Sequence, residues 1–86
     1  MQLRPEQDQI IRYMATQPEG VRVMWIAEGC GHFYDTQWAA SRLPALVKRG
    51  LVAKQGLPGW YVLTDVGRAA ARALIKSPML VGEERL

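Results

Sequence analysis

Cysteine and histidine are nearly missing from this 86-residue chain, which has one of each, Cys30 and His32. A lone cysteine excludes an internal disulfide, and one cysteine with one histidine cannot complete a Cys/His metal quartet. Cys30, His32 and Asp35 lie close in sequence, but three potential ligands without a fourth, in a segment needed as a turn, make a poor metal site. Long apolar runs are missing too, and none approaches the roughly 20 residues that span a bilayer. The start, Met1-Gln2-Leu3-Arg4-Pro5-Glu6, has no signal-peptide core. The expectation is a protein of the reducing cytoplasm, with no membrane partner. Neither a glycine-rich phosphate loop, nor paired carboxylates at useful spacing, nor a nucleophile with its base is visible. Enzymatic activity and a cofactor are therefore not expected.

What is present is apolar material for one core. Apolar residues make up 49% of the chain and charged residues 22%, a balance suited to one small folded domain. The expected domain covers residues 1–78, with 79–86 as a tail whose Met79, Leu80 and Val81 offer weak support for a homodimer.

Pro5 suits the first turn of a helix, where its missing N–H costs nothing, and Glu6 and Asp8 favour the positive end of the helix dipole. Ile10, Ile11, Met14 and Ala15 recur at helical spacing, predicting a helix over 5–17 that Pro18-Glu19-Gly20 ends. Val21-Arg22-Val23 reads as a short strand able to pair with a later hairpin. Met24 to Glu28 reads as a short helix closed by Gly29-Cys30-Gly31. Asp35 or Thr36 can cap the next helix, whose apolar stripe is Trp38, Ala39, Leu43, Leu46 and Val47 and whose stop is Gly50.

Pro44 interrupts that helix, and an interior proline costs ~3 kcal/mol or more. The chain can kink at Ala40, or break with Ser41 capping a second segment; the pattern favours one kinked element over about 36–49. Leu51-Val52-Ala53-Lys54 and Trp60-Tyr61-Val62-Leu63 have strand composition around a turn-rich 55–59, which predicts a hairpin, with the Trp60 ring packed across it. Thr64 offers the N-cap of a last helix over about 65–76, with Val66, Ala69, Ala70, Ala73 and Leu74 as its inner stripe. Trp25, Trp38 and Trp60 read as packing residues more than as a base-stacking platform.

Charge is distributed unevenly. The chain carries a net +3, yet from Arg42 to Lys76 seven basic residues face Asp65 alone, a balance of +6, which leaves −3 for the remainder. A basic half of this kind suits a polyanion. Lys48 and Arg49 also complement a helix C-terminus, worth ~0.3–1 kcal/mol. Arg68, Arg72 and Lys76, four residues apart, either splay into water or meet an anionic backbone.

The spacing Leu43-x2-Leu46-x3-Gly50-Leu51-Val52, followed by Tyr61-x-Leu63-Thr64-x2-Gly67, resembles the core of winged helix-turn-helix transcriptional regulators of the MarR and PadR types, over residues 5–76. The resemblance implies a mainly α fold with a small β-hairpin wing, in the order helix, strand, helix, helix, hairpin, helix. It also implies a regulator that inserts the helix over 36–49 in the major groove of double-stranded DNA. Carried onto this chain, Gln37, Trp38, Ser41 and Arg42 would face bases, and Lys54 and Gln55 on the wing would face the backbone. By their charge, Lys48, Arg49, Arg68 and Arg72 are candidates for phosphate contacts. Without long flanking helices the chain looks like a minimal domain of phage or mobile-element type. The alternative is a winged-helix protein-interaction module with Phe33, Tyr34, Trp38 and Leu57 as its contact patch, which the weakly charged wing tip favours.

Overall fold

The computed structural model describes residues 3–76, the side chain of Lys76 excepted. The expected tail over 79–86 lies outside the described residues. Among the described residues five helices and three strands follow in order: α1 (Pro5–Ala15), β1 (Val21–Arg22), α2 (Val23–Gly29), α3 (Thr36–Ala40), α4 (Leu43–Lys48), β2 (Val52–Lys54), β3 (Trp60–Leu63) and α5 (Asp65–Lys76). The strands form one antiparallel sheet in the order β1-β3-β2. This is the expected winged helix-turn-helix, mainly helical with a small wing, in which the third helix is divided.

The core is built from the apolar face of each helix. Ile10, Ile11 and Met14 of α1 are buried with Ile26 and Ala27 of α2, Trp38 and Ala39 of α3, and Leu43 and Leu46 of α4. Val21, Leu51, Val52 and Leu63 close it from the sheet side. Helix α1 stops at Ala15, two residues before its expected end, because the Thr16 and Gln17 amides bond back only three residues, to Tyr13 and Met14.

Pro44 divides the third helix instead of kinking it, which corrects the single element expected over 36–49. Proline cannot donate to the carbonyl of Ala40, and its ring clashes there. The chain resolves this by ending α3 at Ala40 and starting α4 at Leu43, so that Pro44 falls in a tolerated first turn. Residue 42, and not Ser41, takes the N-cap position of the second segment.

The junction of wing and last helix is tighter than the sequence pattern implied. Gly50 turns the chain at φ +79°, and the Thr64 hydroxyl donates to the Gly50 carbonyl at 2.5 Å while accepting from the Gly67 amide at 3.0 Å. A Cβ on Gly67 would stand 2.0 Å from the Leu51 carbonyl oxygen, so only glycine lets α5 lie against the start of the hairpin. The inner face of α5 is consequently Gly67, Ala70, Ala71 and Leu74. Of the expected stripe, Ala70 and Leu74 point inward, while Ala69 and Ala73 are exposed and Val66 is 53% exposed.

Candidate nucleic-acid interface

The break at 41–42 shapes the candidate interface. In an unbroken helix the Arg42 amide would bond to the Trp38 carbonyl; here it donates to the Ala39 carbonyl at 3.0 Å. The Trp38 carbonyl is instead taken by the Arg42 guanidinium at 2.9 Å and the Ser41 hydroxyl at 3.1 Å. The same guanidinium lies 4.8 Å from the centre of the Trp38 ring, a cation–π distance. Arg42, expected at base edges, is thus engaged in repairing the break that Pro44 causes.

Trp38 also departs from the base-facing role expected of it. It is 9% exposed and stacks on His32 with ring centres 3.9 Å apart. That placement equally removes it from the alternative contact patch. Asp35 caps α3 by accepting from the Trp38 amide at 3.2 Å. His32 and Asp35 therefore both serve to seat α3, and among the described residues no three His, Cys, Asp or Glu side chains group as metal ligands do. Cys30 is half-buried, and burial raises its thiol pKa above the ordinary value. Beside it, burial first, then the neighbouring Cys30 and Glu28, raise the Tyr13 phenol.

What remains outward on this segment is a ridge. Gln37, Ser41, Pro44, Ala45 and Lys48 are all exposed, at three- and four-residue steps that keep them on one side despite the break. Toward the wing, Pro44, Val47 and Lys48 of α4 line a cleft with Lys54 and Tyr61 of the hairpin. Lys48 and Lys54, six residues apart in sequence, are brought together there. Tyr61 was not among the expected contacts; its register opposite Lys54 is the only signal that could have found it. Gln55 is exposed at the start of the wing loop, its amide closing the hairpin on the Trp60 carbonyl.

On the other side of the ridge, the Arg49 guanidinium donates to the Gln7 side-chain oxygen at 3.2 Å, tying the end of α4 to α1. Arg68 and Arg72 stand elsewhere. They edge a cavity of about 250 Å³ between α1 and α5, walled by Met14, Leu63, Ala71 and Ile75, and Arg68 pairs with Asp65 at 3.2 Å. The basic half seen in the sequence is therefore not one continuous face.

Trp60 packs away from the hairpin it was expected to cross. Pairing of Arg22 with Trp60 in the sheet brings its ring edge-on to Trp25, with ring centres 6.0 Å apart, and the Arg22 guanidinium lies 5.9 Å from the Trp25 ring centre and 6.0 Å from that of Trp60. Sequence spacing could not show that cluster, because 38 positions separate Arg22 from Trp60.

Among the described residues no helix is long and apolar enough to cross a membrane. No protein-family model matches the chain, and no curated protein matches it. Among solved structures, the fold is similar to that of the transcriptional repressor CouR, bound to p-coumaroyl-CoA, at a TM-score of 0.65 and 28% sequence identity. The match covers 90% of this chain and 56% of that one, so the chain spans little more than half the length of the protein it resembles. The architecture is thus one that a transcriptional repressor also uses.

Proposed function

We propose that this protein is a transcriptional regulator that binds double-stranded DNA, presenting the α3–α4 ridge to the major groove and the wing-side lysines to the backbone. The observation that carries the reading is the continuity of that surface. Gln37, Ser41, Ala45 and Lys48 run outward along the divided helix, and Lys54 and Tyr61 extend it across the cleft to the wing. Gln37 is the side chain placed to read base edges, Ser41 lies beside it with its hydroxyl donating to the Trp38 carbonyl, and Lys48 and Lys54 supply charge to phosphates. Likeness to a repressor over most of this chain supports the same reading. A symmetric operator would require a homodimer with half-sites one turn apart, ~34 Å.

The test is fluorescence anisotropy on a pool of mixed duplexes, then on duplexes selected from it, at several salt concentrations. Affinity is expected to fall linearly in log–log terms as salt rises. Lys54→Ala should weaken all duplexes alike, and Gln37→Ala should weaken the selected sequence by about 1–3 kcal/mol while sparing the others. Affinity for no duplex, or affinity indifferent to salt, overturns the reading.

A protein-contact role has one observation in its favour. Tyr34 is fully exposed with its backbone at φ +65°, a conformation uncommon for a bulky residue, beside Phe33 at 64% exposure. A stoichiometric partner that survives nuclease treatment and is lost with Phe33→Ser would favour that role.

A further inference from the structure

The ridge has a second flank, and it is formed by a segment whose sequence gave no sign of a basic face. Arg4, just ahead of α1, lines a cleft together with Ser41, Arg42 and Ala45 from the divided helix and with Glu6 and Gln7 from α1. In sequence Arg4 belongs to the net-negative remainder of the chain. In space it joins the recognition segment, on the side away from Lys48 and Lys54, whose cleft shares none of these residues.

Gln7 holds this arrangement in place. Gln7 is 9% exposed, and its side-chain oxygen accepts both the Arg4 amide at 3.1 Å and the Arg49 guanidinium at 3.2 Å. Gln7 thus ties the Arg4 backbone and the Arg49 guanidinium together where α1 meets α4, and Arg42 lines the cleft beside them. Neither Arg4 nor Arg42 forms an ion pair among the described residues. Among the described residues Glu6 is the one acidic residue lining the cleft, against two arginines, which leaves a positive balance.

We propose that this cleft holds a backbone phosphate of the bound duplex, so that the recognition ridge lies between two phosphate anchors, Lys48 and Lys54 toward the wing and Arg4 with Arg42 toward α1. The inference rests on the duplex-binding reading and adds to it a second strand contact. Arg4 is the principal donor, because Arg42 already spends part of its guanidinium on the Trp38 carbonyl. The fixed position of the cleft beside Ser41 and Ala45 means that a phosphate seated there sets how deeply the ridge enters the groove.

The experiment is the salt dependence of duplex binding by the full chain and by Arg4→Ala, Arg4→Lys, Glu6→Gln and Arg22→Gln. Arg4 bonds to Gln7 through its backbone amide, which each substitution keeps, and thermal melts verify that each variant folds. Loss of one phosphate contact should reduce the magnitude of the log–log salt slope by about 0.9 for Arg4→Ala, uniformly across duplex sequences. Arg4→Lys should restore most of it, and Glu6→Gln should tighten binding. Arg22→Gln removes a charge of the same size from the aromatic cluster on the sheet and should leave the slope nearer that of the parent. An unchanged slope for Arg4→Ala, or an equal loss for Arg22→Gln, overturns the second anchor while leaving duplex binding intact. A parent protein without salt-dependent duplex binding overturns both.

Discussion

Two joints shape this small domain, and they are made by opposite means. At 41–42 a proline forces one helix into two, and side chains are drawn in to repair the damage: Arg42 and Ser41 satisfy the Trp38 carbonyl, and Trp38 lies between the core and His32. Between Gly50 and Gly67 nothing is broken. Small residues and one threonine hydroxyl let hairpin and last helix close on each other, with Thr64 bonded to both sides. The contrast teaches that a polar residue on a recognition segment is available for recognition only after the local backbone has been satisfied.

The largest effect is expected at the first joint. Trp38→Ala removes a buried indole together with the surfaces that His32 and Arg42 rest on; substitutions of this kind cost about 3–5 kcal/mol. In a domain of this size that is a large share of total stability. Urea denaturation should show a midpoint far below that of the parent. A near-parental midpoint would mean that the ring is not the seat of α3.

The second joint should yield less. Gly67→Ala places a methyl group 2.0 Å from the Leu51 carbonyl oxygen, so α5 must shift from the hairpin, and overpacking of this type typically costs about 1–3 kcal/mol. Because the backbone there is helical, alanine would stabilise α5 if the contact were loose. A rise in melting temperature would therefore contradict the close approach.

The smallest effect on stability is expected from Pro44→Ala. Proline in a first turn is not itself a defect, and its removal raises the freedom of the unfolded chain by roughly 0.4–1 kcal/mol, which gains in helix continuity should offset. The informative readout is local: 13Cα shifts at residues 41 and 42 should move toward helical values as α3 and α4 join, and Arg42 should be released from the Trp38 carbonyl. Unchanged shifts would show that something other than Pro44 sets the break.

Much of the fold was legible in the sequence because it rests on local rules. The stripe Leu43, Leu46 and Val47, the stop at Gly50, and the cap at Thr64 each depend on neighbours within a few residues. The binding surface was less legible for the same reason. Arg42 looked free because the backbone repair it performs exists only once the helix has broken. Arg4 looked remote because only the packing of α1 on the divided helix, held by Gln7, brings it to the ridge. Tyr61 and Lys54 become neighbours through strand register, and the α5 stripe was misplaced by one helical position because the approach at Gly67 sets the helix rotation.

The most direct measurement of the central claim is an NMR titration of the 15N-labelled protein with a selected duplex, read residue by residue. The account predicts the strongest perturbations along Gln37, Ser41, Ala45 and Lys48 and across to Lys54 and Tyr61. Perturbations confined to Phe33, Tyr34 and Leu57, or absent at saturating duplex, would contradict it.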